Sequence, residues 1–330
     1  DIYDRTYTYL FIIFLGNGAT VFYNMISNIL RALGDSRTPL YFLIFSSLLN
    51  VVLDVVFIVP FDMDVAGAAW ATVLAQAISA ALCIVFALKR FTILHLSARE
   101  WRFSAETAWR HLKVGFPMGF QMSVMCIGQM AMQAAVNAIG TNAVAGYTAA
   151  TKVDQMSVLV NNAFGVTLST YVAQNYGAGK RKRIIHSYFI SMVFSFGIAL
   201  VMSALLVIFG RQFLGIFTNV EEVAQAGMIR LRIMGCSYAF SAFMDCTIAA
   251  NRGLGKSFVP TVIVIMGSCV FRIIWVYTVF AYFHTIESLY LLYIVSWAIT
   301  AAAEMICLRR VYREQMQKLP PDIDGVKAAA

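Results

Sequence analysis

Charge is scarce in this sequence. Asp, Glu, Lys and Arg make up 13% of its 330 residues, against roughly 25% in ordinary globular domains, which excludes a chain whose whole surface meets water. Histidine is confined to four scattered positions, His95, His111, His186 and His284. No zinc constellation, Ser-His-Asp arrangement, P-loop or GxGxxG opening a helix is visible, so neither an enzyme nor a bound cofactor is expected. The six cysteines, Cys83, Cys126, Cys236, Cys246, Cys269 and Cys307, all fall inside apolar runs and none has CxxC spacing. They read as small core or lipid-facing residues, neither disulfides nor metal ligands. A net charge of +8 would suit nucleic acid if it were gathered on one face. Here the basic residues lie between apolar runs, as in loops resting on anionic lipid.

What is abundant is apolar sequence: 60% of the chain, with a mean hydropathy of +0.73. A membrane-spanning helix takes about 20 mostly apolar residues. On that ruler the chain is an all-α polytopic membrane protein with nine spans: Tyr7–Leu30, Leu40–Val59, Ala66–Leu88, Val114–Ile139, Val144–Gln174, Ile184–Phe209, Met228–Ala250, Phe258–Phe283 and Ser288–Leu308. The fifth is interrupted by Lys152, Asp154, Asn161 and Asn162.

Most of the 25 Lys and Arg fall in alternate loops: Arg31 and Arg37, then Lys89 to Lys113, Lys180 to Arg183, Arg252 and Lys256, and finally the tail from Arg309. The opposite loops carry Asp62, Asp64, Arg211, Glu221, Glu222 and Glu287. The positive-inside rule makes the basic side cytoplasmic, including the C-terminus of a multi-pass protein of the cell membrane. The domain reading is residues 1–88 as a three-helix lobe, 89–113 as a cytoplasmic linker, 114–310 as a six-helix lobe and 311–330 as a tail. Within the linker Trp101, Ala105, Trp109 and Leu112 recur at helical spacing, which predicts a helix lying in the interface.

One stretch occurs twice. Asn28 to Pro39, NILRALGDSRTP, returns as Ala249 to Pro260, AANRGLGKSFVP. Each copy sits between apolar runs and reads as a polar hairpin, with Gly34 or Gly255 ending one helix, Pro39 or Pro260 opening the next, and Thr38 as an N-cap. Both copies fall on the basic side, so the halves are parallel repeats. Hairpin one lies between spans one and two and hairpin two between spans seven and eight, so the first half has three spans where the second has six. A twelve-helix molecule lacking its first three helices is therefore expected.

The R-x-L-G-D-S-R-T-P hairpin, GFPMGFQ at Gly115–Gln121, AVAGYTAATKVD at Ala143–Asp154 and STYVAQNYGAGKRKR at Ser169–Arg183 together resemble the multidrug and toxic compound extrusion (MATE) family. The resemblance covers essentially the whole chain, matching the last nine of that family's twelve helices. It implies two lobes around a central cleft and a monomeric secondary antiporter in the lipid bilayer, exporting small organic cations or amphipathic drugs in exchange for Na⁺ or H⁺. Two alternatives stay open: a flippase for lipids or saccharide-lipids from the same superfamily, and a non-transporting fragment.

Ionisable residues inside spans are costly and so mark candidate sites. Lys152 and Asp154 lie about 13 to 16 Å along the fifth span, two apart and thus on different faces. Asp245 lies about 10 Å inside the seventh span and Arg272 about 18 Å inside the eighth, the latter expected to meet a carboxylate or carbonyls. Glu304 reads as interfacial. In the fourth span Gln121, Met125 and Gln129 belong to a ridge of amides and methionines that would suit varied cargo. With Lys152, Asp154, Asp245 and Arg272 they form the candidate substrate cleft. A cation-coupling site, for Na⁺ or H⁺, is expected at Asn50, Asp54 and Thr72. The first two share a helix face, and Asp54 and Thr72 sit at matching depths, about 9 Å in, across a short hairpin. Their spacing resembles the family's first-lobe site, whose further Asp belongs to a helix absent here.

Overall fold

Among the described residues, nine long helices correspond to the nine apolar runs. The computed structural model describes residues 2–95 and 102–319. Its helices are α1 (Ile2–Ala32), α2 (Arg37–Ile58), α3 (Asp64–Arg90), α4 (Ala105–Asn137), α5 (Thr141–Gly177), α6 (Arg181–Gly215), α7 (Glu221–Gly253), α8 (Phe258–Phe283) and α9 (Ile286–Lys318). No strand occurs among the described residues. Seven helices are long and apolar enough to cross a membrane by length and composition. The exceptions, α4 and α5, carry the amides and charges noted above. In α8 the backbone widens from i→i+4 to i→i+5 hydrogen bonding over Ile265–Val270 and again over Val276–Phe280.

The chain forms two compact units, Asp1–Phe103 and Ser104–Ala330. Their boundary falls in the predicted linker. The expected interfacial helix has no separate existence among the described residues. Ser104 accepts a hydrogen bond from Thr107 N at 3.3 Å and opens α4, which carries Ala105, Trp109 and Leu112 straight on through Pro117. Trp101, Arg99 and the tail beyond Leu319 lie outside the described residues.

In unit one α1 crosses α3 closely at Gly16, where a β-carbon would run into Val73. Tyr23 Oη donates to Pro39 O at 2.9 Å, tying α1 to α2. Leu30, Cys83 and Ala87 fill the core at the basic end. Phe11, Phe14 and Leu15 of α1 and Leu48, Val51 and Val55 of α2 point outward, as lipid-facing helices require.

The hairpin corrects one expectation. Helix α2 begins at Arg37, and Thr38 is not its cap. Asp35 does that work: its Oδ1 accepts from Arg37 N at 3.1 Å and Thr38 N at 3.0 Å, and its Oδ2 accepts from Thr38 Oγ1 at 2.6 Å. A carboxylate satisfies the first free N–H groups better than a hydroxyl and also meets the positive helix end. These bonds, the Thr38 hydroxyl first, hold the Asp35 carboxyl below its ordinary pKa. Asp35→Ala is expected to cost about 1 kcal/mol. The contribution is present above the carboxyl's unfolded pKa and disappears as pH falls through the lower folded value. Melting wild type and variant across that range in detergent checks it, since the gap should close only in acid.

Three helix ends close alike. After α1, α5 and α7 the chain turns through Gly34, Gly179 and Gly255 at φ of 91°, 72° and 75°. Asp35 N, Lys180 N and Lys256 N then reach back to Leu30 O, Asn175 O and Asn251 O at 2.9 to 3.0 Å. This is the glycine-terminated helix end in which a left-handed residue lets the chain satisfy its last carbonyls. The α5 end is a third instance that the paired hairpin motif leaves out.

Unit two is built around α7, which carries more fully buried residues than its neighbours. It meets α5 through Gly146, whose β-carbon would lie 2.8 Å from both Gly227 N and Val223 O, and again at Gly253 beside Ser169 O and Val172. Small residues here let two backbones touch, the means of helix association where lipid offers no hydrophobic drive.

Candidate functional site

On one face of α7, Arg230, Met234, Tyr238, Ser241 and Asp245 follow at steps of four, four, three and four, and so line up along the helix. On α9, Tyr290, Tyr293 and Trp297 do the same. The α7 row, with Tyr293 and Trp297 of α9, bounds a cavity of about 310 Å³ that α4, α5 and α8 complete with Met125, Gln129, Asp154 and Arg272.

The cavity's charges are arranged unequally. Arg230 donates through Nε and Nη2 to Asp154 Oδ2 at 3.0 and 2.9 Å, with both side chains about 95% buried. Its guanidinium lies 4.5 Å from the centre of the Tyr147 ring, 5.5 Å from Tyr290 and 5.7 Å from Tyr293. Arg272 is equally buried, but among the described residues neither a carboxylate nor a carbonyl bonds it, contrary to expectation. It rests on the faces of Tyr293 at 4.5 Å and Trp297 at 5.9 Å. Such contacts are worth about 2 kcal/mol each away from water, against the several kcal/mol that burying one ion costs. Asp245 is half-buried and accepts from Ser241 Oγ at 2.9 Å. Among the described residues no cation pairs with it.

Of the predicted cleft residues, Met125, Gln129, Asp154, Asp245 and Arg272 are brought together here. Gln121 and Lys152 are not. Gln121 is buried further along α4, where its Oε1 accepts from Arg252 Nη2 at 3.0 Å and Thr261 Oγ1 at 3.3 Å. Lys152 is exposed on the opposite face of α5 from Asp154. Arg230 and the tyrosines were missed by the sequence reading. Applied to Arg230, nine residues into α7, the same rule that flagged Arg272 finds it. A larger groove of about 520 Å³ between α5 and α6, with Lys182, Arg183 and His186 at its rim, contains none of the predicted residues.

In unit one, Asn50 Nδ2 approaches Thr72 Oγ1 at 3.4 Å, and Thr72 Oγ1 donates to Ala68 O at 3.0 Å. One turn along α2, Asp54 Oδ1 is buried with no hydrogen-bond partner, and so is Gln76 Oε1, one turn along α3 from Thr72. Two orphaned acceptors at one helix interface are costly, and an oxygen-rich set with one carboxylate is the chemistry that a hard cation or a proton satisfies.

Comparison with known proteins follows from this architecture. The MatE family profile matches residues 1–56 and 117–278. The chain is 34% identical over 235 residues to the "Probable multidrug resistance protein YpnP" of Bacillus subtilis (strain 168), covering 71% of this chain and 52% of that protein. It thus spans about half the length of the curated relatives that it matches. Among solved structures it superimposes, with a TM-score of 0.87 at 22% identity, on an outward-facing multidrug resistance MATE family transporter of the MOP superfamily, covering 93% of this chain and 69% of that one. A MOP superfamily transporter from Pyrococcus furiosus, whose binding pocket is described as of reverse polarity, gives 0.86 at 23%, covering 93% and 70%. On the family match, over an all-helical fold shared with these transporters, the chain belongs to the MATE family.

Proposed function

We propose that the protein is a secondary antiporter that exports organic cations and amphipathic compounds, driven by Na⁺ or H⁺ bound at Asn50, Asp54 and Thr72. The observation that carries it is the division of charge in the unit-two cavity. Asp154 is spent on Arg230, which leaves Asp245, tied only to a hydroxyl, as the carboxylate open to a cationic ligand. Around it Met125, Met234, Met244 and the aromatic rings supply an adaptable apolar wall. The basic loop ends face the cytoplasm in this reading, following the positive-inside rule.

Arg272 supports a second reading. A buried guanidinium held only by rings would suit an anionic headgroup, as a lipid or saccharide-lipid flippase needs.

Transport assays in cells separate the two. With the protein expressed from its complete gene, a fluorescent organic cation should be extruded when a Na⁺ or H⁺ gradient is imposed. Asp245→Asn should raise its half-saturating concentration about tenfold, the loss of one charge-assisted contact. A preference for an anionic lipid analogue would favour the flippase. Inactivity toward both, with the protein present in the membrane, would sink transport altogether.

A further inference from the structure

Glu304 lies on α9 outside the cavity and was expected at the membrane interface. The structure places it at 0% exposure, against Asn251 of α7. It ends a row of buried polar residues at i, i+4 and i+8, Ser296, Thr300 and Glu304, each fully buried. The two hydroxyls are already committed: Ser296 Oγ donates to Gly267 O at 2.8 Å and Thr300 Oγ1 to Ser296 O at 2.7 Å. Neither is free to bond Glu304.

One partner remains. Asn251 Nδ2, on α7 and likewise 0% exposed, donates to Glu304 Oε2 at 3.1 Å. The other oxygen of each group, Glu304 Oε1 and Asn251 Oδ1, is buried without a partner. Both are acceptors, so no bond can form between them as the groups stand, and each would bear the full cost of a stranded polar atom. A single hydrogen between them removes both deficits. A carboxylic acid facing a primary amide forms two hydrogen bonds in a ring, N–H to one carboxyl oxygen and O–H to the amide oxygen.

The charged neighbours do not supply an alternative. Arg252, next to Asn251 on α7, directs Nη2 to Gln121 of α4 and makes no ion pair with Glu304. Lys256 is taken by Glu314 at 3.1 Å. From α8 comes Thr261, whose hydroxyl goes to Gln121. Cys307, three residues further along α9, also lies close enough to feel Glu304 and brings no positive charge. Of the fully buried carboxyls among the described residues, Asp154 has an arginine and Glu304 does not.

We propose that Glu304 and Asn251 form a proton-binding pair in the second unit, with the proton on Glu304 Oε1 donated to Asn251 Oδ1. The pair is separate from the cavity and from the Asn50, Asp54 and Thr72 cluster, and it holds whether or not the chain exports drugs. Binding a proton makes Glu304 neutral and closes the ring. Losing it leaves a carboxylate beside a stranded amide oxygen, which Asn251 relieves only by moving or by admitting water.

Infrared spectroscopy of the purified protein at about neutral pH reads this directly. The carbonyl stretch of a protonated carboxylic acid should be present, should move when all glutamates carry isotopically labelled carboxyls, and should vanish in Glu304→Gln. Because a glutamine amide reproduces the ring with Asn251, that variant should melt at or above the wild type, and its melting temperature should not fall as the buffer is made alkaline, as the wild type's should. Absence of a glutamate-derived acid band in the wild type would overturn the proposal without any variant. A band that survives Glu304→Gln, or a Gln variant that melts well below wild type, would also overturn it.

Discussion

Arg230→Ala is expected to destabilise the second unit by about 3 to 5 kcal/mol, the range found when one partner of a buried ion pair is removed. The loss has two parts. Asp154, 3% exposed, would keep its charge in a dry site with its guanidinium partner gone, and the rings of Tyr147, Tyr290 and Tyr293 would lose the cation that they enclose. The pair itself is a different matter. Replacing both members by apolar residues of like size, Asp154→Leu with Arg230→Met, should recover most of the loss, because desolvating two charges nearly cancels their attraction. Thermal melting of the two single variants and the double variant in one detergent forms the cycle. A double variant as unstable as the singles, or a single variant that melts with the wild type, would rule out the pair as the unit's electrostatic anchor.

Asp54→Asn is expected to abolish ion-driven transport while leaving the protein in the membrane in normal amount. Asparagine keeps the shape and can still accept a hydrogen bond, so packing between α2 and α3 changes little. What is lost is the one negative charge of the Asn50, Asp54 and Thr72 cluster, without which a hard cation has only neutral oxygens to replace its water and a proton has no carboxylate to occupy. Thr72→Val and Asn50→Ala each remove one oxygen ligand and should reduce transport by about tenfold each. Measuring efflux against the imposed gradient, alongside protein level, decides it. Undiminished efflux in Asp54→Asn would take the coupling ion elsewhere.

The helices were legible because lipid imposes a simple demand. Every span must be about 20 residues long and internally hydrogen-bonded, so long apolar runs located the helices, Phe258–Phe283 at both ends, even where amides and charges leave α4 and α5 short of the apolar content of the other seven. Partners were not legible. Asp154 and Arg230 are 76 positions apart, and no local rule ties them. Arg272 was expected to find a carboxylate because buried charge generally does, and a sequence without tertiary contacts gives no reason to choose Tyr293 and Trp297 instead. Thr38 and Asp35 compete for one helix end within four residues, and which wins depends on a start shifted by two positions, from Pro39 to Arg37. Glu304 looked interfacial from its distance to the basic tail, since depth along a helix says nothing about which neighbours close over it. Asp54 and Thr72 were expected at matching depths across the short hairpin, but it is Asn50, one turn further from that hairpin, that Thr72 approaches, because counting from a turn fixes depth only to about one helical turn.

The widened turns of α8 bear on descent. A helix that passes from i→i+4 to i→i+5 bonding accommodates an additional residue over the same length of axis, so each such turn is how a span fixed at both ends absorbs an insertion. Arg272 lies between the two of them, after Ile265–Val270 and before Val276–Phe280. Aligning this chain with a relative whose corresponding helix is regular therefore calls for a one-residue gap at each of the two, the first of them ahead of Arg272. Without that first gap, the arginine is assigned to a face about 100° away from the one it occupies.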